Sequence, residues 1–237
     1  MCKEATKSRA SFEKYLTGRI LDIGGGPDPI TPEAIVWDRD QGDAQEMRGA
    51  RPGTFDVVFS SHCLEHLRNP QAALARWWSL VKPGGYLIVV APEADAYEQG
   101  FWPSRFNPQH HFAFSASTDI SWCPANLNLA ELVGLLPGHK LLRLEVVVDG
   151  PPPPEPADTT LTGSRAQVEM VVHKPAGAPR LVGSILPEVF ACPQCRRQVR
   201  ALGRSETGAL LCKCEACGAM GSFAPRDATP LAVPEAS

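Results

Sequence analysis

The sequence predicts an α/β protein, a mostly parallel sheet with flanking helices, followed by a small cysteine-bearing unit. Three observations predict it. Short apolar runs at Arg19–Ile23, Ala34–Trp37, Phe55–Ser60 and Tyr86–Val90 are separated by turn signals and one helix-period segment, as in a sheet built by crossover connections. The third run is apolar at nearly every position, as a strand covered on both faces should be. Five of the eight cysteines fall within 26 residues near the C-terminus.

At 237 residues and 25.6 kDa, the chain has room for one ordinary domain with a full core and a small appendage. Apolar residues are 43% and charged residues 21%, the balance of a globular protein. A net charge of −3 and a pI near 6.1 give no overall attraction to nucleic acid or anionic membrane. No apolar run approaches the roughly 18 to 20 residues that cross a bilayer. The opening MCKEATKSRASFEKYL holds no apolar stretch of the secretory type. A cytoplasmic protein with no membrane partner is expected.

Each element follows from local chemistry. Residues 1–18 are polar with modest helical character and predict a lead-in helix. The first strand enters a glycine triplet, Gly24-Gly25-Gly26. Between it and the second strand stand Pro27, Pro29 and Pro32. Proline inside a helix costs about 3 kcal/mol, so this connection is predicted as a loop or a single turn. Pro70 to Val81 predicts a helix with Ala73, Leu74, Trp77, Trp78 and Leu80 on its apolar side, stopped by the breaker cluster Lys82-Pro83-Gly84-Gly85. Residues 93–125 are irregular and rich in aromatics, His, Asn and Pro. A helix is predicted over Leu127–Leu136, and strands over Lys140–Val148 and Gln167–His173. Pro151 to Pro154 mark an exposed connection between those two strands. The predicted division is a main domain at 1–174, a linker at 175–190, the cysteine unit at 191–223 and a loose tail at 224–237.

A strand feeding a glycine-rich turn lets a ligand approach the backbone, because glycine lacks a Cβ and tolerates positive φ. In open α/β sheets ligands bind beyond the carboxyl ends of the strands. Together ILDIGGG, FDVVFSSHCLEHLRNP and LVKPGGYLIVVAP resemble the class I S-adenosylmethionine-dependent methyltransferases, over roughly residues 18–173. The likeness extends to the compact bacterial small-molecule members that carry an EHL motif. It implies a Rossmann-like sheet and S-adenosyl-L-methionine as cofactor. It also implies roles by position. Asp22 would sit near the methionine amino group, with Gly24, Gly25 and Gly26 forming the loop beneath the cofactor. Asp38 would hold the ribose hydroxyls, in competition with Asp40 because the shortened connection shifts the register. Asp43 and Ala44 would contact adenine. Ser60, Ser61 and His62 would border the methionine portion. Glu65 and His66 would begin the next helix, His66 helping to close the site.

Methyl transfer is an in-line displacement that needs alignment, exclusion of water and sometimes removal of a proton. The acceptor side is expected from residues 93–123. There His110 or His111 is the candidate general base, and Arg105 a candidate for an anionic substrate group. Phe101, Trp102, Phe106, Phe112 and Phe114 are candidate pocket walls or simply a packed cap. His62 and His66 lie four apart, the spacing of one helix face, but no third metal ligand is evident beside them in the sequence.

Cys192-x2-Cys195 and Cys214-x2-Cys217, with 18 residues between the pairs, have the spacing of a four-thiolate zinc site. The segment resembles a zinc ribbon. Cys212 is an alternative to Cys214 as ligand. Four thiolates leave no open position, so this Zn2+ would be structural. Arg196, Arg197, Arg200 and Arg204 make the segment locally basic.

The function expected is methyl transfer to oxygen or nitrogen of a small-molecule or glycan-type acceptor. Two alternatives stand beside it. One is an RNA or protein methyltransferase that docks its substrate on the ribbon, the single place where nucleic acid would be met. The other is a non-catalytic methyltransferase-like binding module. The oligomeric state is not legible in the sequence.

Overall fold

The structure is a computed structural model that describes residues 9–116, 122–150, 155–162 and 164–176. It also describes, as backbone, the strands 189–191, 198–204, 210–213 and 220–223. The lead-in segment is helical from residue 9 and tightens to a 3-10 turn at Glu13–Tyr15.

Six strands form the main sheet: β1 (Ile20–Ile23), β2 (Ile35–Trp37), β3 (Phe55–Ser61), β4 (Val81–Pro92), β7 (Lys140–Val148) and β8 (Ala166–His173). Their spatial order is β2-β1-β3-β4-β8-β7. The pairs β1–β2, β1–β3 and β3–β4 are parallel, whereas β8 runs antiparallel to both β4 and β7. Five strands therefore point one way and β8 the other, the mostly parallel sheet expected. The chain leaves β1 toward β2 on one side and resumes at β3 on the other. This change of direction opens a crevice beyond the carboxyl end of β1.

The side-chain period of two divides the core between the two faces of the sheet. Leu21, Ile23, Val58, Leu87, Val89, Val168 and Met170 pack on one face with helix α1 (Pro70–Leu80). Ile20, Val57, Phe59, Ile88, Val90 and Val171 pack on the other with Phe12. Helix α1 starts as its sequence dictates. Asn69 accepts a hydrogen bond from the Ala72 amide at 3.0 Å and Pro70 takes the first helical position, where a missing N–H costs nothing. Trp77 and Trp78 are fully buried. Their indole N–H groups donate to the Ala44 and Pro137 carbonyls at 2.8 and 3.0 Å. At its other end Lys174, itself buried, donates to the Trp78 and Val81 carbonyls at 2.8 and 2.9 Å. A cation there complements the helix dipole and the orphan carbonyls.

The structure departs from the sequence-based expectations in three places. The breaker cluster Lys82–Gly85 does end α1, but it is not a loop. It extends β4 backward, with a register shift against Phe55–Val57. The extension needs Gly85, since a Cβ there would lie 2.5 Å from the Asp56 carbonyl oxygen. The predicted helix 127–136 is divided into strand β6 (Asn126–Asn128) and helix α2 (Leu129–Gly134). Strand β6 pairs in parallel with β5 (Ala113–Ser115), inside the stretch expected to be irregular. Short strands with Ser and Asn carry little period-two signal, so tertiary pairing decides them. Finally, Glu65 and His66 do not begin α1. They lie in a separate 3-10 turn, Leu64–His66.

The C-terminal strands β9 (Val189–Ala191), β10 (Gln198–Arg204), β11 (Leu210–Lys213) and β12 (Met220–Phe223) form an antiparallel sheet in the order β12-β11-β10-β9. Ala191 is paired with Gln198, and Lys213 with Met220. The ends of these two hairpins lie at the same end of the sheet. Cys192, Cys195, Cys214 and Cys217 themselves lie outside the described residues, as do the Pro151–Pro154 connection, most of the linker and the tail. Among the described residues, no helix is long and apolar enough to cross a membrane.

Candidate active site

The carboxyl edge of the sheet collects most of the predicted cofactor residues. Gly24 and Gly26 take positive φ, +78° and +53°. The Gly24 amide donates to the Trp37 carbonyl at 2.8 Å, joining the turn to β2. A Cβ on Gly25 would stand 2.8 Å from the Asp22 carboxyl carbon. Asp22 is buried under the turn, and its Oδ2 accepts the Ile30 amide at 2.7 Å. The carboxylate thus organises the whole proline-rich connection, which is a loop of turns without a helix, as expected.

Asp38 directly follows β2 and is half-buried, while Asp40 is exposed in the next turn. Asp38 is anchored locally. Its carboxylate accepts the Arg39 amide at 2.8 Å, and its own amide donates to Gln41 Oε1 at 2.8 Å. Asp43 is exposed and organises a turn by accepting the Gln45 and Glu46 amides at 2.6 and 3.1 Å. Ala44 is half-buried against the core. At the end of β3 the Ser60 hydroxyl is committed to the Ile23 carbonyl at 3.1 Å. The Ser61 Oγ is buried and makes no hydrogen bond to any described group. A cradle that only glycine can line and an unsatisfied hydroxyl beside it fit a ligand with a polar tail lying across the strand ends.

The histidines converge in a way their sequence spacing did not show. His62 takes φ +49° and is not on a helix with His66. Both rings nevertheless approach Glu65, with His62 Nδ1 at 3.6 Å and His66 Nε2 at 3.7 Å from Oε1. His110 Nε2 reaches the same oxygen at 4.0 Å from a position 45 residues away in the chain. His110 is buried, with its Nδ1 2.8 Å from Glu98 Oε1. Burial pushes the Glu65 carboxyl up to about 7, with the His110 ring opposing. Burial lowers the His66 imidazole below its ordinary value, with the Gln109 carbonyl opposing. His111 is exposed, and its backbone amide donates to the Glu65 carbonyl at 2.8 Å. Glu98 owes its place to a single π-helical turn, Ala94–Glu98, that follows β4. No local motif ties Glu98 or His110 to Glu65, and only the return of the cap over the sheet does so.

The remaining acceptor-side candidates divide. Phe114 is wholly buried in the main core. Arg105 is exposed and stacks on the exposed Phe101 at 5.1 Å. Tyr97 packs edge-on to Phe106 at 5.9 Å and lies beside His110 at 5.3 Å.

Known proteins resemble this chain in sequence and in fold. A Thiobacillus denitrificans protein, ubiquinone biosynthesis O-methyltransferase, is 42% identical over 45 residues, 19% of each chain. The chain therefore matches about a fifth of that relative's length. Among solved structures, a Bacillus halodurans protein provisionally named a methyltransferase aligns at TM-score 0.49 and 17% identity, covering 72% of this chain and 100% of the other. A SAM-dependent methyltransferase of Archaeoglobus fulgidus aligns at 0.46 and 17% identity, covering 72% and 95%. The family described as methyltransferase domain matches residues 3–132, more than half of the sequence. With a glycine turn closing β1, acidic residues at the ends of β1 and β2, and strand order β2-β1-β3-β4, the chain belongs to the methyltransferase-domain family.

Proposed function

We propose that the protein is an S-adenosyl-L-methionine-dependent methyltransferase acting on oxygen or nitrogen of a small-molecule or glycan-type acceptor. The observation that carries this reading is the glycine turn, with its positive φ and the buried Asp22 beneath it, set beside Asp38 at the change of strand direction. The cofactor would supply an electrophilic methyl group on a sulfonium. Gly24, Gly25 and Gly26 let the backbone lie against it. Asp22 holds the loop in shape, and Asp38 accepts hydrogen bonds from the ribose hydroxyls. Ser61 offers a hydroxyl toward the methionine portion. The cap at residues 93–116 orients the acceptor and excludes water, which supplies much of the rate enhancement for such a transfer. Of the two candidate bases, His111 is the exposed one and is assigned to proton acceptance, while His110 is enclosed between carboxylates. Oxygen as the accepting atom is favoured by the O-methyltransferase named among the relatives.

We further propose the division into a methyltransferase domain at 1–174, a linker at 175–190, a zinc-bound ribbon at 191–223 and a tail. Support for the ribbon is the Cys-x2-Cys spacing and the two hairpin ends brought to one end of its sheet. Its four thiolates would hold Zn2+ as a structural ion.

Calorimetric titration with S-adenosylmethionine tests the cofactor reading. The wild type is expected to bind one equivalent. Asp38→Ala is expected to bind at least about tenfold more weakly, since a hydrogen bond to a charged group is worth about 1.5–3 kcal/mol. Equal affinity in the two proteins would remove Asp38 from the site, and no binding to folded wild type would overturn the reading.

A further inference from the structure

The cluster under the cap has a feature that methyl transfer does not use. Glu65 is 1% exposed, and neither of its carboxylate oxygens receives a hydrogen bond from any described group. A buried carboxylate without donors costs several kcal/mol unless a cation or a proton neutralises it. Three imidazoles approach it, and two of them, His66 and His110, are turned the same way and form one close group with it. His66 Nδ1 lies 3.1 Å from the Gln109 carbonyl oxygen, so that nitrogen carries the proton. His110 Nδ1 lies 2.8 Å from Glu98 Oε1 and carries its proton for the same reason. In the neutral form of each ring the lone pair is therefore on Nε2, the atom that points at Glu65 Oε1. With both rings neutral and Glu65 ionised, three electron-pair donors meet there.

Their spacing fits an ion better than a hydrogen bond. The distances of 3.7 and 4.0 Å from Glu65 Oε1 are too long for hydrogen bonds. The three ligand atoms all lie within 4.8 Å of one another. Tetrahedral Zn2+ with bonds of about 2.0–2.1 Å would separate its ligands by about 3.3–3.4 Å, which asks for a contraction of about half an ångström in the two Glu65 pairs and up to about 1.4 Å between the imidazole nitrogens. The surroundings are also those of a metal site. Ligating histidines usually donate their other nitrogen to a carboxylate or a backbone carbonyl, and here Glu98 and Gln109 provide one of each.

We propose that Glu65, His66 and His110 bind a divalent first-row transition ion of the Zn2+ type, with Glu98 positioning His110. Two imidazoles and one carboxylate select such an ion over Mg2+, which prefers oxygen ligands. Three protein ligands leave one tetrahedral position open, as in catalytic rather than structural sites. The opening is on the His66 side, since that ring is 32% exposed while the other two ligands are enclosed. The site therefore offers an electrophilic contact for an oxygen or a water at the carboxyl edge of β3. It is distinct in residues and in ligand chemistry from the cysteine pairs.

The test is titration of the metal-free full-length protein with Co2+, followed by visible absorption in wild type, His66→Gln and Glu98→Gln. His66 is partly exposed, so its replacement leaves the core intact, and circular dichroism checks this. Cysteine-bound cobalt shows an intense thiolate charge-transfer band, and imidazole- and carboxylate-bound cobalt does not. The expected difference between wild type and His66→Gln is one equivalent of cobalt with no thiolate band. Glu98→Gln is expected to keep that signal but weaken binding by about 10–100-fold, the usual effect of removing such a partner. Coincident spectra of wild type and His66→Gln would overturn the site, as would a difference carrying the thiolate band. Neither readout depends on S-adenosylmethionine, so failure here leaves the cofactor reading standing.

Discussion

Glycine 25 shows how tightly one residue can bind sequence to site. Its Cβ position is already filled by the Asp22 carboxylate at 2.8 Å, and that carboxylate holds the Ile30 amide. Gly25→Ala is expected to displace Asp22, loosen the loop at residues 24–34 and weaken S-adenosylmethionine binding at least tenfold. Overpacking of this kind costs about 1–3 kcal/mol of stability, so urea unfolding and calorimetry should move together. A variant with wild-type affinity and wild-type midpoint would show that the loop tolerates the extra carbon. The glycine turn was legible because a strand followed by glycines is a local signal, whereas Asp22 and Asp38 were picked out by the family resemblance. The partners of Glu65 were not, because Glu98 and His110 come from segments 33 and 45 residues further along.

At the scale of elements, α1 joins the edge to the core. Its first turn is capped by Asn69, its middle is anchored by two indoles, and its last carbonyls are held by Lys174. Asn69→Ala is expected to cost about 1 kcal/mol, read as a lower urea midpoint at an unchanged slope. No change in midpoint would mean that water caps the helix equally well. The start of α1 at Pro70 and its core face could be read from the sequence, the face from the apolar spacing, while the Asn69 cap came from the structure. The lysine cap could not be read, because Lys174 follows β8 and reaches α1 only when the sheet is assembled. The same holds for Lys82–Gly85, a stop for the helix in the sequence but paired backbone in the sheet, with the Gly84 amide and the Gly85 carbonyl bonded to Lys174.

At the scale of the whole molecule, one ion pair ties the amino edges of β3 and β4. Lys82 Nζ lies 3.0 and 2.9 Å from the two carboxylate oxygens of Asp56. The Lys82 ammonium, helped by the Arg19 amide and opposed by burial, holds the Asp56 carboxyl below the usual range. A depressed folded value means the group stabilises the fold above its unfolded value, about 3.9. That contribution is lost as pH falls through the lower folded value. Asp56→Asn is therefore expected to lower the unfolding temperature near neutral pH and to narrow its gap to wild type as pH drops from about 5 to 2. A gap that stays constant across that range would mean the pair contributes nothing that titrates. The effect should be small because both side chains are partly exposed.

By itself the sequence determined the α/β class, the strands of the main sheet, the glycine turn and the acidic residues that close β1 and β2. These depend on patterns within a dozen residues, where period, proline and glycine act directly on the backbone. Tertiary structure alone decided what those residues meet. It placed β8 antiparallel between β4 and β7, committed the Ser60 hydroxyl to β1, buried His110 and exposed His111. It also drew Glu65, His66 and His110 together under the cap. Such contacts join distant parts of the chain, and the closure of long loops that makes them is paid for by burial of the whole core rather than by any local motif.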